Sequence, residues 1–159
     1  MNLKYLENLE KNKKIGHDKI RGVKEAEILE TEKRLKIKFP LAYREFLSLA
    51  GKYAGNLQLA DGHTSLEKLA NEKVLNNLKS SLEEANLKIE RPFWVISEQD
   101  GFEQFYFFYL DEETENPIVY GVTYGDTDDT SIIYSLNKTF SEFIDTVIEK
   151  SILFSKRGY

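Results

Sequence analysis

At 159 residues, with no cysteine and a formal net charge of −5, the chain is long enough to bury about two-thirds of its unfolded surface as one domain, without disulfides or thiolate metal sites. Its first twenty residues are broken by charge every few positions and contain no signal-peptide core. No later run approaches the ~20 apolar residues of a membrane helix, so a cytoplasmic protein without a membrane partner is expected.

The first twenty residues read as a polar, partly helical lead-in with an apolar edge of Leu3, Leu6 and Leu9. A helix is expected near 24–36, where Ile28, Leu29 and Leu35 fall on one side with Glu32 among them. Pro40 then suits the first position of a second helix, over 40–50, because its missing N–H and fixed φ cost nothing there. Tyr43, Phe46, Leu47 and Ala50 follow at i, i+3, i+4 and i+7, and Gly51 stands where a left-handed cap belongs. Residues 52–62 read as a loop with a short strand around Leu57–Leu59. Thr64 and Glu67 form a capping-box pattern that opens one or two helices over 65–87, divided near Ser80-Ser81.

At Pro92 the period changes from helical to alternating. Segments 93–97, 104–110, 118–123 and 131–136 are short, aromatic and β-branched, and turn residues separate them. They predict an antiparallel meander in which 104–110, apolar on both faces, is central and covered on each side. Thr139 and Glu142 then cap a final helix whose Phe140, Phe143, Ile144, Val147 and Ile148 form one face, with 155–159 frayed. The order predicts an α+β domain: an antiparallel β-meander sheet with N-terminal helices and a C-terminal helix packed on it.

The segment 23–56 also resembles the start of the SUKH superfamily, the Smi/Knr-type cell-wall-assembly-regulator-like domains. The resemblance rests on Ile28, Glu32, Leu35, Phe39-Pro40, Tyr43, Phe46-Leu47 and Gly51. Asn116-Pro117 before Val119-Tyr120, and the closing Thr139–Phe143 helix start, extend it along nearly the whole chain. The chain is read as a single SUKH-like domain over 1–159: a lead-in at 1–20, a helix-turn-helix entry at 23–56, an acidic sheet at 92–137 and a closing helix at 139–153, with a helical insert at 65–87 by which it departs from the short family pattern. In bacteria the resemblance implies an immunity protein that binds and silences a toxin. An adaptor of the same fold and a small carboxylate-dependent hydrolase are the alternatives.

The charge is segregated. From 92 to 137 there is no Lys or Arg, while Glu98, Asp100, Glu103, Asp111, Glu112, Glu113, Glu115, Asp126, Asp128 and Asp129 are all acidic. This argues against direct nucleic-acid binding and for a cationic partner, such as a nuclease toxin domain, with these carboxylates as the partner-binding residues. Without Lys or Arg among them, they are expected to repel one another.

Glu32 is read as a structural carboxylate that accepts hydrogen bonds from free N–H groups at the start of the helix at Pro40. His17 and His63 stand 46 positions apart and fit no zinc motif. Counted from Asp126, positions 6 and 12 of a calcium loop would be Ser131 and Asn137 rather than glycine and glutamate. No phosphate-binding glycine loop or nucleophile elbow is present. No catalytic residue, metal or cofactor is therefore expected.

Overall fold

The computed structural model describes residues 2–59, 63–99, 101–124 and 131–158. It contains α1 (Glu7–Lys11), a hairpin of β1 (Lys14–Ile15) and β2 (Asp18–Lys19), then α2 (Glu25–Leu35) and α3 (Leu41–Ala50). After these come α4 (Leu66–Leu69), α5 (Glu72–Glu84), β3 (Phe93–Gln99), β4 (Gln104–Tyr109), β5 (Ile118–Tyr124), β6 (Ser131–Thr139) and α6 (Phe140–Lys156). The four long strands pair antiparallel in the order β3-β4-β5-β6, so the α+β meander holds and β4 is internal. Buried residues from Leu6 to Ile148 form a single core cluster.

The two faces of β4 explain its unbroken apolar sequence. Phe108 meets Tyr43 of α3 at 5.3 Å and Phe140 of α6 at 6.2 Å between ring centroids, and Tyr106 meets Phe143 of α6. Phe105 and Phe107 point the other way, toward Phe102, Phe93 and Tyr120. Next to that second face, α4 and α5 bring Leu69, Leu75 and Leu78 against Phe93, Val95 and Phe102.

Helix α3 is buried along Ala42, Tyr43, Phe46, Leu47 and Ala50, as its period predicts. Several local expectations are corrected. On α2, Ile28 and Glu32 are buried but Leu29 is half exposed, because α3 covers a narrower stripe than the sequence offers. Pro40 is the N-cap of α3 rather than its first helical residue. Gly51 is right-handed, with φ −67°. It is glycine for space, since a Cβ there would lie 2.6 Å from the Leu47 carbonyl oxygen. The left-handed cap falls instead on Lys36, at the end of α2 (φ 56°).

The lead-in forms α1, in keeping with its partly helical reading, and then a hairpin that the polar sequence did not announce; 57–59 is no strand, and Tyr53 makes an isolated bridge to Arg21 instead. Ser65, not Thr64, caps α4, since the Leu66 N–H is drawn to the Gly51 carbonyl (2.9 Å) and fixes where the helix starts. The break in 65–87 falls at Ala70-Asn71, where the Asn71 side chain accepts from the N–H groups of Lys73 and Val74; Ser80-Ser81 lies inside α5. α6 runs to Lys156, two residues into the segment expected to fray.

Two substitutions test this packing. The Thr139–Glu142 capping box is complete, so Thr139→Ala should lower stability by about 1 kcal/mol, read as a lower denaturation midpoint at unchanged slope. A Cβ on Gly22 would lie 1.7 Å from the Ser48 carbonyl oxygen, a backbone atom. Gly22→Ala should therefore cost more than the Thr139 cap does, at the upper end of the ~1–3 kcal/mol typical of overpacking.

Candidate functional site

The acidic residues separate into internal and surface groups. Glu98 is buried, and its two oxygens accept from the N–H groups of His63 (2.9 Å) and Phe102 (3.1 Å). It is therefore corrected from partner-binding residue to internal brace of the β3–β4 turn. Glu103 is exposed in that turn. Asp100, Asp126, Asp128 and Asp129 lie outside the described residues.

Asp111, Glu112, Glu113 and Glu115 are brought together in the turn between β4 and β5. The expectation that they lack compensating cations is also corrected, because the cations come from outside the acidic run. Arg91 pairs with Asp111 at 2.7 Å, reaches Glu112 at 3.4 Å and lies 3.9 Å from the centre of the Tyr109 ring. Glu115 accepts from Lys4 Nζ and from the Tyr5 hydroxyl, each at 2.7 Å, and its carbonyl accepts the Ala42 N–H in the first turn of α3. These ties pin both flanks of the turn. Between them, exposed Glu113 takes a left-handed backbone conformation (φ 46°) and has no ion pair among the described residues.

Glu113 and Glu115 line a cleft of about 660 Å³ together with Lys38, Leu41 and Arg44. Arg44 is held in turn by Glu32, whose other bond is from the Phe39 N–H at 2.6 Å. The N–H that Glu32 satisfies thus belongs to the residue just before the N-cap, and its charge partner is a side chain of α3.

Sequence reasoning missed Glu45. One of its oxygens accepts from the backbone N–H groups of Lys4, Tyr5 and Leu6 at 3.0–3.2 Å, which ties the N-terminal segment to α3. The other oxygen is buried without a hydrogen bond among the described residues. Its placement among Ala42, Tyr43, Phe46 and Leu47 was the available signal, since a helix walled on several sides leaves such a residue no route to water.

Among the described residues, no group of three or more His, Asp or Glu could hold a metal ion, and no helix is long and apolar enough to cross a membrane. A four-stranded meander with helices on it, presenting a pinned acidic turn beside a cleft, defines an α+β domain. Residues 22–146 match the profile of the SMI1 / KNR4 family (SUKH-1), and the chain belongs to that family. Comparison with curated proteins returns no match.

The clasp makes a pH prediction. Arg91 holds the Asp111 carboxyl below the usual carboxylate range, and Lys4, with the Tyr5 hydroxyl, does the same for Glu115. A depressed folded-state pKa contributes stability above the unfolded value, and that contribution is lost as pH falls through the folded one. Asp111→Asn and Glu115→Gln should therefore each lower the melting temperature slightly at neutral pH, and the difference from the parent should shrink as the pH falls below the usual carboxylate range.

Proposed function

We propose that this chain is a non-enzymatic immunity protein that binds a cognate, cationic toxin domain and blocks it by occlusion. The family is consistent with this role. The observation that carries the reading is the β4–β5 turn, where Glu113 is held exposed between the Arg91–Asp111 and Lys4–Glu115 clasps at the rim of a cleft. A turn fixed in this way loses little conformational freedom on binding, and an unpaired carboxylate at its tip attracts a positive surface. A nuclease is the toxin class that best fits such a carboxylate, because a cleft built for phosphates is cationic. Binding takes place in the cytoplasm, where such a toxin reaches its substrate.

The test uses a toxin domain whose lethality is suppressed by co-expression of this chain, scored first as rescue of growth. In stopped-flow association at low salt, Glu113→Lys should slow binding several-fold, with the difference shrinking as salt screens it over a Debye length of about 8 Å at physiological strength. Glu103→Lys changes net charge equally but lies at the other end of β4, and it should leave the rate near that of the parent. Equal slowing by both would make net charge, and not this turn, the determinant. No effect from either would remove the β4–β5 turn from the interface.

A further inference from the structure

The two edges of the sheet are treated differently. On β3, five of seven residues are buried and the outer side is partnered at Glu98, whose N–H donates to the His63 carbonyl (3.2 Å). On β6, no residue from 132 to 139 is buried, and among the described residues no backbone hydrogen bond reaches its outer side. Such an edge is a template for another strand unless a charge, proline or bulge blunts it. Residues 131–135 of β6 contain none of these: the register irregularity falls beyond Ser135, on 136–138, where Lys138 is the one charge of the strand and Asn137 is left-handed (φ 54°).

Two large apolar side chains are exposed along this edge, beside the polar Ser135 and Asn137. Ile132 is 55 % exposed and Tyr134 39 %. They share one face by alternation, and part-buried Leu136 follows where the register shifts. The apolar surface continues onto α6: Lys150 lines a cavity with Tyr134, its ammonium lies 5.9 Å from the Phe154 ring centre, and Phe154 and Leu153 are themselves exposed.

We infer that the β6 edge pairs with the β6 edge of a second copy of this chain, antiparallel about a two-fold axis at Tyr134, which makes one continuous eight-stranded sheet. The sequence is self-complementary in that register. Tyr134 stands opposite its own copy, and exposed Ile132 stands opposite part-buried Leu136 of the other strand, where the irregular stretch begins, so Ile132 meets an apolar residue. The two Lys138 side chains fall at opposite ends, eight residues apart, or roughly 26 Å at strand spacing. A chain of net charge −5 resists self-association over most of its surface, but residues 131–139 contain no carboxylate. A second copy therefore meets no acidic group along this edge. The bulge at Asn137 ends the pairing and keeps it short, which makes the dimer a reversible one.

Sedimentation velocity on the full chain across the micromolar range should show a monomer–dimer equilibrium. Ile132→Lys puts a charge on an exposed position and should raise the dimer dissociation constant at least about tenfold, equivalent to about 1.4 kcal/mol, with an unchanged melting temperature as the folding control. If that variant is destabilised, hydrogen exchange on the unmodified chain decides instead: the amides of 132–136 should gain protection with protein concentration. A strict monomer overturns the inference, as does a dimer that forms without protecting these amides. Protection that requires a different protein would also overturn it, assigning the edge to a partner strand.

Discussion

The structure depends on one buried ring. Tyr43 of α3 is within 6.5 Å, centroid to centroid, of Phe39, Phe46, Trp94, Phe108 and Phe140, and its hydroxyl accepts the Trp94 indole N–H at 2.8 Å. These neighbours come from the turn before α3, from α3 itself, from β3, from β4 and from α6. An aromatic pair adds about 0.5–1.5 kcal/mol beyond its area, so the cluster joins the helical first half of the chain to the sheet more firmly than any polar contact does. Burial also pushes the Tyr43 phenol well above its usual range, which keeps it neutral at every physiological pH.

Because α3 is walled by this cluster, the polar groups around its start need partners that are not water. Three glutamates supply them. Glu32 takes the Phe39 N–H and Arg44, the Glu115 carbonyl takes the Ala42 N–H, and Glu45 takes three N–H groups of the N-terminal segment. The same constraint that stabilises the helix therefore positions the acidic turn, since Glu115 serves both. Residues 2–21 lie outside the family span of 22–146, yet Lys4 and Tyr5 complete one flank of the candidate site.

The elements were legible wherever a residue's fate is set by its own period. The stripe of α3 and the Thr139–Glu142 box are local patterns, and each has the structure its spacing implies. What was not legible depends on distant partners. Ser65 rather than Thr64 caps α4 because of the Gly51 carbonyl, and Gly51 is glycine because of Leu47 rather than because of a left-handed turn. The acidic run misled for the same reason: composition shows carboxylates without cations between 92 and 137, but Arg91 and Lys4 reach in from outside.

That correction changes what the charge can do. Glu98 is spent inside the protein on two backbone N–H groups, and Asp111, Glu112 and Glu115 each face a cation. The exposed carboxylates of the sheet segment left without an ion pair among the described residues are Glu103 and Glu113, one in each of the turns that bound β4. Among the described residues, the unpaired charge of this 46-residue segment thus sits at turn tips at opposite ends of one strand. A compensated clasp contributes rigidity and little field, whereas an unpaired tip contributes field and needs rigidity from its neighbours. The β4–β5 turn has both: Glu113 supplies the charge, and the pairs on either side of it hold the backbone conformation in which that charge faces outward.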